Sequence, residues 1–192
     1  MLKHIRNLSS KSRAIIALAA GLVILCAVNY TIVQREVLLA EGRTVLLELA
    51  PVDPRSLMQG DYMALRFKVA SDAFAGLGRN GQIRTDSTTS HPNASDGQIV
   101  VALNEHGVGQ FRRFAKAGES VASNEALLRY RIRNEQVKFA TNAFFFQEGH
   151  ARLYESARFG EFRVASNGEM ILTSLRTANY VLLEAPKSDA GQ

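Results

Sequence analysis

Two stretches of the 192-residue chain concentrate side chains that could do chemistry. In the first, PVDPRSLMQGDY over residues 51–62, Asp53, Arg55, Asp61 and Tyr62 share a proline-stiffened turn with Gly60. Two carboxylates beside an arginine and a tyrosine could hold a cation or a polar ligand. The plainer role is structural: Asp53 and Asp61 accept backbone N–H bonds in the turns, and Gly60 supplies unusual backbone geometry. The second stretch, FFFQEGHARLYESARFGE over residues 144–161, carries Glu148, His150, Glu155, Arg158 and Glu161. Helical spacing would set Glu148, Arg152 and Glu155 on one face, with Arg158 three residues further on. Glu148 and Glu155 could then act as an acid–base pair, although an ion-paired helix surface is the commoner use of such spacing. A hydrolase or a ligand sensor built from these residues requires the two stretches to converge in one cleft. In the sensor, Phe144, Phe145 and Phe146 would supply an apolar lining.

Other chemistries lack their residues. One cysteine and no tryptophan exclude an internal disulfide framework and a cysteine zinc site. His91, His106 and His150 do not show the spacing of a helical metal pair. GLGRNG at 76–81 has glycines but no following Lys-Ser/Thr, and no GxSxG serine motif occurs. No motif asks for a cofactor. Arg129, Arg131 and Arg133 form a stripe that could bind phosphate or lipid headgroups. With Glu125 and Glu135 close in sequence, the simpler reading is a solvated strand face.

The elements that must position these residues begin with an apolar run. Residues 14–28 contain no polar side chain, and the apolar character extends to residue 33. As a helix this run spans about 30 Å, the thickness of a bilayer's hydrocarbon core. The sequence therefore predicts a basic cytoplasmic tail (1–13) and a transmembrane helix (14–33). A domain at 34–186 and a flexible end at 187–192 follow. Lys3, Arg6, Lys11 and Arg13 precede the span with no acid among them, which places the N-terminus in the cytoplasm and the domain across the membrane. A cleaved signal peptide has the same charged start, but no small-x-small site closes the run. Leu25 before Cys26 argues against lipoprotein processing.

Beyond the span the pattern is mainly β, an antiparallel sheet or small barrel-like domain with one short helix. Strands are predicted at 44–49, 62–69, 98–103, 111–115, 128–133, 137–139 and 181–183. A hairpin at 161–165 and 170–175 turns on Asn167-Gly168. In 62–69, Met63, Leu65, Phe67 and Val69 alternate with Tyr62, Ala64, Arg66 and Lys68. The helix is predicted at 148–159, ended by Gly160. Residues 76–97, rich in Gly, Ser, Thr, Asn and Asp, read as a long loop.

Hydrophobic residues make up 46% of the chain and charged residues 21%, a folding composition. The net charge of +5 belongs mostly to the four cations of the tail. The remaining domain is close to neutral, which argues against a nucleic-acid partner.

PVDPRSLMQGDYMALRF resembles the signature of the GDYxxLxY-motif family of membrane-anchored bacterial proteins of unknown function. Gly60, Asp61, Tyr62 and Leu65 match, and Phe67 stands where the motif ends in tyrosine, keeping the ring and losing the hydroxyl. FFFQEGHARLYESARFGEFRV resembles the family's second block through Gln147, Glu148, Gly149, Tyr154, Glu155, Ala157, Arg158, Gly160 and Glu161. The resemblance implies a companion of a multi-pass membrane protein, working in the membrane or periplasm, and gives no reaction. Leu57-Met58-Gln59-Gly60-Asp61 is also similar to the turn after the nucleophile in membrane-bound signal peptidases. The serine position there corresponds to Val52, and Ser56 has no evident lysine partner, so the Ser-Lys chemistry does not carry over.

The expectation is thus a bitopic inner-membrane protein with a periplasmic β domain. It would act as an accessory or interaction protein for a polytopic partner, in contact with the lipid bilayer. An envelope hydrolase or ligand sensor is the alternative.

Overall fold

The computed structural model describes residues 10–50, 58–59, 62–74, 96–116, 118–133 and 136–184. Internal contacts divide the chain between Ala40 and Glu41. The first unit is dominated by the helix α1 (Ser10–Glu41), which is long and apolar enough to cross a membrane. A membrane anchor and a signal sequence share this character. Two of its polar side chains bond back to the helix's own carbonyls. Asn29 Nδ2 donates to the Leu25 carbonyl at 2.9 Å, and Thr31 Oγ1 donates to that of Val28 at 2.7 Å. Such back-bonding removes the cost of an unpaired polar group in an apolar run.

The second unit is built from short antiparallel strands, in line with the mainly β expectation. In chain order it contains β1 (Arg43–Glu48), β2 (Met58–Gln59), β3 (Tyr62–Ala64), the helix α2 (Lys68–Ala73), β4 (Asp96–Leu103) and β5 (Gly109–Phe114). There follow β6 (Glu125–Arg133), β7 (Gln136–Lys138), β8 (Ala143–Phe145), the helix α3 (Ala151–Tyr154), β9 (Phe159–Val164), β10 (Met170–Arg176) and β11 (Leu182–Leu183). They form three sheets of order β1-β9-β10-β11, β2-β3-β8 and β5-β4-β6-β7.

Backbone bonds stitch the sheets together. Leu46 N donates to the Gly107 carbonyl at 2.9 Å, beside a parallel bridge between Leu46 and Val108, and so joins β1 to the start of β5. Arg129 N in β6 donates to Gly168 O, at 2.9 Å, in the β9–β10 turn. Leu49 pairs with Phe67, which fastens the end of β1 to the chain after β3. One apolar cluster draws on all three sheets: Val45, Leu47, Phe162 and Leu175 from the first, Met63 from the second, and Ile99, Val101, Leu128 and Tyr130 from the third. Each fully buried Leu or Phe contributes about 1.5–3 kcal/mol relative to an exposed one.

The β6 alternation is as the sequence predicts: Leu128, Tyr130 and Ile132 are buried, and Arg129, Arg131 and Arg133 are exposed. The hairpin closed by Asn167-Gly168 also forms, as β9 and β10. Two elements differ. The strand predicted at 62–69 ends at Ala64, and Lys68–Ala73 is helical. Met63, Leu65, Phe67 and Val69 are all buried as the alternation requires. Val69 and Ala73 then form the buried side of α2 at helical spacing, so the period changes beyond Phe67. The helix predicted at 148–159 shrinks to Ala151–Tyr154. Gly149 adopts φ +85°, which stops a helix from starting at Glu148. At the other end the sheet captures the backbone of Arg158, whose N–H donates to Arg176 O and whose carbonyl accepts from Leu49 N, both at 2.8 Å. The 51–57 turn, most of the 76–97 loop and the 187–192 end lie outside the described residues.

Candidate functional site

Of the first stretch, Asp53, Arg55, Gly60 and Asp61 lie outside the described residues. Tyr62 opens β3 and sits in register with Phe145 of β8, ring centroids 5.8 Å apart. Met63 pairs with Phe144 and Ala64 with Ala143. The start of the first stretch's strand and the phenylalanine run of the second are therefore neighbouring strands of one small sheet. Tyr62 is half-buried, while the Phe145 ring is 74% exposed.

Behind this surface the residues that follow Tyr62 meet the second stretch in the core. Leu65 and Phe67 are buried, and the Phe67 ring packs edge-on against Phe139 and Phe162 at 6.0 and 5.4 Å. A Cβ on Gly160 would stand 3.1 Å from the Phe67 ring and 3.2 Å from the side chains of Leu172 and Phe162. Glycine at 160 is what lets these rings close over β9. Tyr154 is buried between Phe144 and Phe146, with centroids 5.0 and 5.3 Å away.

The charged residues of the second stretch do not gather. Glu148 and Glu155 are exposed, and no ion pair joins either to Arg152. Since α3 covers only 151–154, the shared face expected of Glu148, Arg152 and Glu155 does not form. Arg158 is exposed and donates through Nη1 to the Ala157 carbonyl at 2.8 Å. His150 precedes α3, and its ring Nδ1 is buried without a hydrogen-bond partner. Glu161 is buried. Its Oε2 accepts from Arg176 Nε and, at 3.2 Å, from Ser174 Oγ. Arg176 Nη1 donates in turn to Tyr180 O at 2.7 Å. Glu161 thus holds the β9–β10 pair and the turn into β11, and its charge is matched by Arg176. Among the described residues no three His, Cys, Asp or Glu side chains form a metal-binding group.

A second charged network was not visible in the sequence. Glu125, buried at the start of β6, accepts from Arg113 Nη1 at 2.8 Å and lies 3.3 Å from Arg112 Nε. Arg113 also reaches Glu119 at 2.5 Å. The Arg113 hydrogen bond holds Glu125 below its ordinary pKa. For Glu119 the Lys116 backbone N–H acts first and Arg113 second, in the same direction. The two carboxylates push the Arg113 guanidinium further up. Glu125 therefore serves β5 rather than the arginine stripe on its own strand. The antiparallel register, which sets β5 and β6 on either side of β4, brings Glu125 to the arginines of β5, and Glu119 reaches Arg113 from the loop between the two strands.

The family model described as GDYXXLXY protein matches residues 24–175, most of the chain. The chain belongs to the GDYXXLXY family. The GDYXXLXY signature falls on residues 60–67, so that its Tyr62 lies on the surface beside Phe145 while its Leu65 and the Phe67 that replaces the last tyrosine are core residues. No curated protein and no solved structure shows significant similarity to the chain.

Proposed function

We propose that this member of the GDYXXLXY family is a non-enzymatic accessory protein of the bacterial inner membrane. In this reading α1 is a single-pass anchor with its N-terminus in the cytoplasm, and the β domain stands in the periplasm. The domain docks a polytopic membrane protein through the surface around Tyr62 and Phe145. The observation that carries the reading is the exposed Phe145 ring, paired with the signature Tyr62 at the junction of both motif stretches. An exposed aromatic ring backed by a rigid core is the kind of anchor that protein interfaces use. The apolar length of α1 and the four cations before it support the anchor and its orientation.

The test is extraction of the full chain from its native membrane in mild detergent. The expected result is co-purification of a multi-pass membrane protein, lost in Phe145→Ser while the variant itself stays in the membrane at wild-type level. Recovery of the protein with no partner, or a partner retained by Phe145→Ser, refutes the proposal.

A further inference from the structure

β8 is the last strand of its sheet, whose order is β2-β3-β8, and among the described residues no strand pairs with its other edge. We propose that an extended, uncharged segment of the membrane partner adds to this edge as a further strand at Phe145. The inference rests on the docking surface proposed above. It names what the partner presents there, a stretch of extended polypeptide rather than a helix face.

Hydrogen-bond parity decides which backbone groups the edge offers. Leu65 N donates to Asn142 O at 2.7 Å, and the ladder continues with Ala64 opposite Ala143, Met63 opposite Phe144 and Tyr62 opposite Phe145. Bonded and non-bonded pairs alternate along an antiparallel ladder. The bonds to β3 therefore fall at Asn142 and Phe144, and the N–H and C=O groups of Ala143 and Phe145 point away from β3. Those of Ala143 are already engaged: Thr141 Oγ1 accepts from Ala143 N at 3.1 Å and donates to Ala143 O at 2.8 Å. Among the described residues no such cap closes the edge at Phe145. The N–H and C=O of one residue, side by side on an open edge, match the pair of bonds that a residue of an extended chain exchanges.

The chemistry along the edge is the second observation. Sheet edges are ordinarily protected from pairing by charge, proline or a bulge. Residues 139–147 read FATNAFFFQ, with neither charge nor proline, between Lys138 and Glu148. An incoming strand that spans these residues meets no charged neighbour, so an uncharged segment suits it. A non-bonded pair brings its side chains close, and the Tyr62 and Phe145 rings accordingly lie 5.8 Å apart on one face. With the Phe145 ring 74% exposed, the residue placed opposite it would cover the ring. On the other face Phe144 and Phe146 hold the buried Tyr154 between them, which fixes the edge before anything binds.

The test separates the backbone from the ring. Phenyllactic acid, incorporated at position 145 of the full chain by nonsense suppression, keeps the Phe145 side chain and replaces its backbone N–H by an ester oxygen. The probe is the multi-pass protein that co-purifies with the full chain in mild detergent. The ester should lower recovery of that protein about fivefold or more, the loss expected of one interfacial hydrogen bond. In the wild-type complex, exchange of the Phe145 amide with deuterium should be slower than in the isolated chain. Wild-type recovery with the ester, together with loss in Phe145→Ser, overturns strand addition and leaves ring docking standing. Unchanged exchange of the Phe145 amide overturns it as well, and decides the matter should the ester variant fail to fold. Capture of a second copy of this chain in place of a multi-pass protein overturns the occupant named here. A partner retained by Phe145→Ser, or no partner, refutes the docking surface and this inference with it.

Discussion

Tyr62 and Phe145 face each other across β3 and β8 with their rings 5.8 Å apart, one from each of the two motif stretches. A layer deeper, Phe67 and Gly160 repeat the relationship in the core. Residues 62–67 and the second stretch thus pack together, with a buried interior and the exposed Phe145 ring outside. The exposed positions of Glu148 and Glu155 and the pairing of Glu161 with Arg176 leave the second stretch's carboxylates dispersed rather than aimed at one point.

The packing of Phe67 over Gly160 predicts a cost for any side chain at 160. Gly160→Ala forces a methyl against three close neighbours, and overpacking of this kind destabilises by about 1–3 kcal/mol. Denaturant unfolding of the full chain in detergent measures it. An unchanged midpoint would show that the rings do not close on β9 as described.

Acid should loosen the β5–β6 side of the domain. Glu119 and Glu125 have folded-state pKa values below the ordinary value of 4.5. Their stabilising effect is therefore fully present above the unfolded-chain value and is lost as pH falls below about 4.5 through the lower folded values. A thermal midpoint that drops between pH 5 and pH 3, and drops less in the double variant Glu119→Gln/Glu125→Gln, is the expected result. Equal pH dependence in the two proteins would remove these groups from the account.

The tail makes a topological prediction. Replacing Lys3, Arg6, Lys11 and Arg13 with glutamine should reduce the fraction of molecules whose domain is digested by protease added to spheroplasts. Full digestion in the variant, as in the parent, would mean that these cations do not set orientation.

Strands whose two faces meet different environments were legible in the sequence. β6 shows this best, with Leu128, Tyr130 and Ile132 buried and three arginines exposed. The Asn167-Gly168 turn was equally plain. The start of α2 was hidden because Phe67 and Val69 continue the alternation of β3 while Val69 and Ala73 already follow helical spacing. The 148–159 segment has helical charge spacing, yet the ladder to Leu49 and Arg176 takes its C-terminal part. The Glu125–Arg113 network and the meeting of Tyr62 with Phe145 depend on strand register between distant segments, which local pattern does not encode. The candidate residues of the second stretch stand out by type, and the dispersal of Glu148 and Glu155 follows from the shortness of α3.

We propose the Tyr62–Phe145 surface as the place where a membrane partner docks. The most direct test is site-specific photocrosslinking in intact cells, with a photoreactive phenylalanine analogue placed at Phe145 and, as control, at the exposed Arg152. One crosslinked product is expected from Phe145, identified by mass spectrometry as a multi-pass membrane protein and abolished by Tyr62→Ala, with none from Arg152. No product at Phe145, or the same product from both positions, would contradict it.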